Sequence, residues 1–507
     1  MKRLKGSLTV FFALVMVSIM ALFFSLAELL RYKTLTEQAD IISTRAAENF
    51  MAKYQREMFG AYGILGRDTG CGGTDSDMPS LCNEIIADLS ENGNPPEDGM
   101  SLIRLSPESC EIVNYGFYTD DNGAPFIKAG VRRVVEEIPE IMLESFRTDG
   151  DTARDAFLNG YDADALMAGG ESGMAEADAI KAELEKPPSP GEEGNRPAIP
   201  EKSAEVIAAE EKYAGVENPI TTVRSCGADI LSLAVPRGMT ISDKAVDIGQ
   251  MPSHRLILNH GNRSPRETAA PTDMLLFDQY ILTDFQRVGH DMQQSGLKYA
   301  VEYIICGNAT DRENLKGVAD WLLAFRETEN IAAIVKDGGK MSEAYTFALA
   351  IVGWTGNPAI VESVKWGIIA AWAMVESVLD IRTLLSGGKV PVLKSPADWT
   401  SSIMNLGTLL SGDAKAKDCP SGISYENYLR MMLVFLSPRD AAFRTMDMVE
   451  SAVRTKPEYA DLRMENVLYA GDISMTVVGS PVFMTFVPGG DRVLPYTFIR
   501  ERQTDYL

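Results

Sequence analysis

The sequence predicts an α+β protein in which a long N-terminal transmembrane helix continues as an amphipathic stalk helix, followed by a helix-rich ectodomain core with an antiparallel C-terminal β-meander. Three observations predict it. Residues 6–27, GSLTVFFALVMVSIMALFFSLA, carry no charge. The apolar positions that follow keep helical spacing as far as residue 58. The last stretch of chain trades that period for short runs rich in Val, Thr, Phe and Tyr, bounded by Gly and Pro. The expected layout is a cytoplasmic tail at 1–5, the transmembrane helix at 6–27 and the stalk helix at 28–59. A first ectodomain part of loops, strand and helices at 60–185 comes next, then a Pro/Glu-rich linker at 186–202. A helix-rich core at 203–420 follows, and two helices with the meander complete the chain at 421–507.

At about 1.5 Å per residue the uncharged run spans ~33 Å, about the thickness of a bilayer's hydrocarbon core. Lys2, Arg3 and Lys5 precede it, whereas Glu28, Arg31, Lys33 and Glu37 mix both signs after it. The positive-inside tendency therefore puts the N-terminus in the cytoplasm and the bulk of the chain outside. No A-x-A pattern of a removable signal follows the run. In the stalk, Leu35, Ala39, Ile42, Ala46, Phe50, Tyr54 and Met58 recur every three or four residues, and no Pro or Gly intervenes before Gly60.

From Gly60 to Cys110 the Gly, Asp, Ser and Pro content reads as loop. Residues 111–126 read as a strand running into a turn at Asn122-Gly123, and the next twenty residues as a helix with Val131, Val134, Ile138 and Met142 on one side. Beyond the linker, ADILSLAVP reads as a short strand and TDMLLFDQYILTDF as a helix starting near Asp273. Residues 297–399 hold the strongest core signal. LKYAVEYIIC reads as a β-rich run, and Thr310 to Glu313 form a capping box that opens a helix through WLLAFRETENIAAIV. Residues 344–361 are free of charge, but Gly353, Gly356, Asn357 and Pro358 interrupt them, so buried helices are expected there and not a second span. SYENYLRMMLVFL and SPRDAAFRTMDMVESAV read as helices, and DISMTVVG, PVFMTFVP and RVLPYTFIRER as the meander, with Gly489-Gly490-Asp491 turning between the last two.

Charge excludes one class of function. The 507 residues carry a net charge of -23, opposite to what phosphate backbones require, so no nucleic-acid partner is expected. Residues 149–212 hold 16 acidic and 6 basic side chains and so supply -10 of it. The six cysteines form no C-x-x-C and no Cys/His cluster of zinc spacing, so neither metal nor cofactor is expected. Cys71 and Cys82 are near enough in sequence to close a small disulfide loop, with reduced thiols as the alternative.

Parts for catalysis are few. His254, His260 and His290 have no metal-ligand spacing, GGESGM at 169–174 is not a G-x-S-x-G turn, and no phosphate-binding loop is present. Asp149, Asp151 and Asp155, like Asp162 and Asp164, superficially suggest a calcium loop, but Arg154 stands where its glycine belongs. Glu376 and Asp380, at i and i+4 beside Trp372, share a helical face and suit acid/base work, or else a structural ion pair with Arg382 and Lys365 nearby. Glu302, within an apolar run, reads as a strand-edge position facing water or an arginine. An exported carboxylate-dependent hydrolase, anchored to the membrane and using Glu302, Glu376 or Asp380, is the alternative to a non-enzymatic protein.

KGSLTVFFALVMVSIMALFFSLAELLRY, AKYQREMFGAYGIL, LKYAVEYIICGNATDRENL, AWAMVESVLDIRTLLSGGKVPVLKSPADW and SYENYLRMMLVFL with FRTMDMVE together resemble a family of uncharacterised single-pass exported proteins of Gram-positive bacteria. The resemblance implies genes lying beside those for tight-adherence (Flp-type) pilus assembly, and an N-terminus similar to that of minor pseudopilins. It implies a non-enzymatic accessory or minor pseudopilin-like component with protein partners in a pilus or secretion assembly. Gly6 matches the glycine after which such leaders are processed. The fifth residue beyond it is Phe11 where a glutamate is favoured, so a permanently anchored form stands beside the processed one.

Overall fold

The computed structural model describes residues 4–71, 73–92, 94, 102–135, 160–185, 201–227, 229–264, 270–292, 294, 296–485 and 492–507. The fold is α+β, as expected. Its main elements, in chain order, are α1 (Leu4–Ala52), β1 (Arg67–Asp68), α2 (Met78–Asn92), β2 (Ser106–Phe117), α3 (Ala124–Val134), α4 (Ala163–Glu185), α5 (Ala300–Cys306), α6 (Asp311–Lys336), α7 (Gly338–Val352), α8 (Pro358–Leu385), α9 (Tyr425–Leu433), α10 (Pro438–Val453), β3 (Val467–Gly479) and β4 (Tyr496–Arg502). The chain divides into two compact units built from separated stretches, across the serial order of the segments above. One unit comprises Met1–Glu136, Gly249–Phe277 and Pro438–Leu507, the other Glu137–Ile248 and Asp278–Ser437.

In the first unit α1 runs 49 residues without a break. Its apolar N-terminal part is long enough to cross a membrane, and no part of that window is buried in the protein. Further along, Leu35, Ala39, Ile42, Ala46 and Phe50 form the expected stripe and are buried against the sheet and α2. The helix stops at Ala52, short of residue 59. Gln55 adopts an extended conformation, its side chain accepts the Glu57 N–H, and a separate helix Arg56–Tyr62 starts there. The spacing of Tyr54 and Met58 hides this break.

β3 is the central strand and every pairing to it is antiparallel: β2 along one edge, β1 and β4 along the other. Among the described residues two of the three expected meander strands form. Residues 481–485 of PVFMTFVP pair with no strand, because the Val482 and Phe483 N–H groups go to the Glu28 carboxylate on α1; the Gly489–Asp491 turn lies outside the described residues. The third neighbour of the meander is β2, from 350 residues earlier in the chain. The loop expected between Gly60 and Cys110 contains α2, whose Leu81, Cys82, Ile85 and Leu89 are buried and whose first turn is held by the Asp77 carboxylate on Ser80. The turn after β2 falls at Asp120–Gly123 and α3 follows it; Ile138 and Met142 lie outside the described residues, as do residues 186–200 of the linker.

The second unit is helical around α8, 28 residues long and buried along almost its whole length. α4 lies so close that a Cβ on Gly367 would sit 2.7 Å from the Gly170 Cα, so both helices need glycine at the contact. The charge-free residues 344–361 are interrupted as expected: α7 ends at Val352, Gly356 takes the left-handed conformation, and Asn357 caps α8 with Pro358 in its first turn. Thr310 caps α6 by accepting the Glu313 N–H. Two expected strands are helices. In ADILSLAVP, Asp229 caps Ile230–Ala234 by accepting the Leu231 N–H. LKYAVEYIIC contains α5, closed by Gly307 at a φ of 75°. Both are short apolar runs buried by tertiary packing, where periodicity does not separate strand from helix.

Candidate functional site

Glu376 and Asp380 project from the same face of α8, as their spacing requires, and both are fully buried. Each is neutralised. Glu376 pairs with Lys394 and accepts the N–H groups of Thr400 (3.1 Å) and Ser401 (2.8 Å). Asp380 lies 2.6 Å from Lys394 and 2.9 Å from Arg326, and also accepts from Asn330 at 3.1 Å. Arg326 also donates to the carbonyls of Pro391 and Val392, the Tyr428 hydroxyl and the Asn330 side-chain oxygen. Two carboxylates and two cations thus fasten the 390–401 segment to α8 and α6, an arrangement whose physical role is to complete a buried ion network. The expected partners serve elsewhere: Arg382 donates to the carbonyls of Leu233, Leu409, Leu410 and Ala414, and Lys365 pairs with Glu362.

Glu302 is on a helix, not at a strand edge; it is shut off from water and, among the described residues, forms no ion pair, although the Arg287 charge acts on it. It is fully buried on α5, where one carboxylate oxygen accepts the Val288 N–H (3.1 Å) and the Tyr425 hydroxyl (2.9 Å) and the other has no hydrogen-bond partner. Burial pushes its pKa up to about 7 against the pull of those bonds. It shares no partner with Glu376 or Asp380, so the three carboxylates do not converge on one site.

Among the described residues no group of three His, Cys, Asp or Glu is arranged to hold a metal ion. Asp162 instead accepts the Ala165 N–H at the start of α4, and Asp149, Asp151 and Asp155 lie outside the described residues. All six cysteines are free. Cys71 is exposed and Cys82 is buried against Cys110, with their thiols hydrogen-bonded, so the neighbour of Cys82 is Cys110 on β2 and not Cys71. Gly6 lies within α1. His254 shares the Ser253 hydroxyl (2.7 Å) with Asp447 (2.5 Å). The carboxylate there binds the serine and not the imidazole, the reverse of the order a nucleophilic triad needs.

Two cavities are lined by further polar groups. In the second unit a cavity of about 590 Å³ is lined by apolar side chains including Met167, Ile230, Leu323 and Met374, with Glu327 of α6 opening into it. Among the described residues no hydrogen bond or ion pair reaches that carboxylate. Burial, then the charge of Asp164, raises its pKa to about 8. Arg224 at the rim is already bound to Glu171 at 2.8 Å and Asp320 to Lys316 at 2.6 Å. This lining suits a cationic group on an apolar stem and disfavours an anion. In the first unit a cleft of about 600 Å³ is lined by Asp120, Asp121, Asn122, His260, Arg263 and neighbours. Asp121 and Asn122 hold positive φ there (51° and 57°), and burial pushes Asp120 up although it accepts the N–H groups of Phe117 and Gly261. Glu327 and Asp120 carry no mark in the sequence: each stands among charges that read as a solvated face.

Fold and site together define a class: an α+β protein with, among the described residues, one candidate membrane-spanning helix, in which the buried Glu376 and Asp380 of α8 are held in ion pairs. Residues 209–479, more than half of the chain, match a family of unknown function, DUF5702, and the protein belongs to that family. No curated protein and no solved structure matches it.

Proposed function

We propose that this is a non-enzymatic, membrane-anchored extracytoplasmic protein, N-terminus in the cytoplasm and bulk of the chain outside, that works as an accessory or minor pseudopilin-like component of a tight-adherence pilus or secretion system. One observation carries the reading: α1 is a single helix in two environments. Its first part is bare and apolar, and its second is built into the core beneath the sheet. The bare part needs lipid or the apolar faces of other helices around it, and lateral packing with related helices satisfies that need as well as lipid does. The buried part makes anchor and sheet one folding unit, so a pull on the body is transmitted straight to the helix. The likeness of the N-terminus to minor pseudopilins supplies the machine; the packing is compatible with it.

The test is a deletion strain combined with site-specific photocrosslinking from Val17 on α1. Loss of piliation or adherence, with crosslinks to assembly proteins, is the expected result. Normal piliation without such crosslinks overturns the reading. The exported carboxylate-dependent hydrolase has less support, because Glu376 and Asp380 are held in ion pairs. On that reading Glu376→Gln abolishes turnover of a substrate, whereas here it changes stability only.

A further inference from the structure

We propose that the chain just after β3 forms a second, shallow contact with the bilayer: residues 481–485, with Leu494 beside them, enter the headgroup and upper acyl layer of the leaflet through which α1 leaves the membrane. The proposal rests on the reading of α1 as a span.

Depth comes from direct contacts. Phe483 stacks on Phe24, ring centroids 6.2 Å apart and planes 11° from parallel, and the Met484 sulfur lies 3.8 Å from the Ser25 hydroxyl. Phe24 and Ser25 belong to the uncharged run and lie about 5–6 Å along the helix before Glu28, the first charge after it. Residues 483 and 484 therefore sit level with the last turn of the span. Chemistry agrees with that depth. Pro481 to Pro488 contains no charge, and two apolar side chains here are not folded away: Val482 is 44% exposed and Leu494 80%. On α1 itself Leu26, Leu29 and Leu30, at the end of the span, are exposed as well.

A lipid-facing chain must also satisfy its backbone without water. An ion pair at the membrane exit supplies part of what the segment needs. Glu28 and Arg31, both buried, pair at 2.8 Å. Glu28 accepts the N–H groups of Val482 (3.2 Å) and Phe483 (2.8 Å) and the Tyr496 hydroxyl (3.1 Å), while Arg31 donates to the Ser480 carbonyl at 2.7 Å. Val493 N–H closes on the Thr485 carbonyl at 3.0 Å. Tyr32 and Tyr496, edge to face at 5.1 Å, stand where interfacial tyrosines gather. A wedge so placed fixes the tilt and rotation of the body relative to the bilayer, which a single helix leaves free.

The test uses the full chain in phosphatidylcholine nanodiscs with dansylalanine at position 482 or 494, and at 17 and 41 as references. Position 41 on α1 lies about 20 Å beyond Glu28. Quenching is measured with shallow (5-doxyl) and deep (12-doxyl) lipids and with aqueous iodide. The proposal expects positions 482 and 494 to be quenched several-fold more by the shallow doxyl lipid than by iodide, position 17 by the deep lipid, and position 41 by iodide alone. If 482 and 494 behave like 41 while 17 responds to the deep lipid, the wedge is refuted and the span stands. If 17 does not respond, both fall. Probes at 482 and 494 that neither quencher reaches would mean that protein covers them, which also overturns the proposal.

Discussion

Glu302→Gln tests how a buried carboxyl shapes stability in the second unit. The side chain is fully buried, and one oxygen accepts both hydrogen bonds while the other accepts none. A glutamine carbonyl can take the place of the accepting oxygen, so the substitution removes the charge and keeps the bonds. The folded pKa of about 7 lies above the ordinary 4.5. Between those values the folded chain holds a proton that the unfolded chain releases, so stability falls as pH rises from about 4.5 and levels off above about 7. At about 1.4 kcal/mol per pH unit the loss is about 3 kcal/mol. The variant should match the parent near pH 4.5 and exceed it by about 3 kcal/mol at pH 8. Asp278 and Glu327, also raised by burial, to about 8, slope the same way but in both proteins alike, so the difference isolates Glu302. The assay is urea unfolding of the full chain in detergent, followed by tryptophan fluorescence. All five tryptophans, at 321, 354, 366, 372 and 399, belong to the second unit, so the signal reports that unit. Parallel pH curves for the two proteins would refute the reasoning.

Further outcomes follow from other contacts. Lys394→Met leaves Glu376 and Asp380 buried with only Arg326 to balance them and should cost about 3–5 kcal/mol in the same assay; a loss below about 1 kcal/mol would show that the network relaxes or takes in water. Gly367→Ala should destabilise by about 1–2 kcal/mol: the new methyl meets the Gly170 backbone at 2.7 Å, and overpacking outweighs the helix-propensity gain of about 1 kcal/mol. A neutral or stabilising result would mean the helices separate freely. Refolding in a buffer of oxidised and reduced glutathione should give a Cys82–Cys110 peptide on mapping, because those thiols touch; a Cys71–Cys82 peptide would contradict the packing of α2 on β2.

The fates of the candidate residues show where sequence reading stopped. The i, i+4 spacing put Glu376 and Asp380 on one face, yet their partners Lys394 and Arg326 come from a loop and another helix. Of the residues on the same helix, Arg382 is turned to another face and Lys365 lies about three turns before Glu376, out of reach and paired with Glu362. Glu302 in an apolar run and Cys82 in a stretch rich in Gly and Asp were both misplaced for one reason. The seven residues of α5 hold too few turns to display a period, and in α2, where Leu81, Ile85 and Leu89 do keep helical spacing, the Gly- and Asp-rich surroundings masked it, so in both composition misleads.

Local chemistry alone determined the uncharged run at 6–27, the stripe from Leu35 to Phe50, the Thr310 cap and the break at Gly356 to Pro358, since each depends on residues within a few turns of one another. Tertiary structure decided the rest. It brought β2 beside β3, turned residues 481–485 away from the sheet toward Glu28 and Phe24, closed the ion network around Asp380, and left Glu327 facing a cavity. Those outcomes depend on which surfaces meet across hundreds of residues, where burial and the need to pair every buried charge and N–H outweigh any local preference.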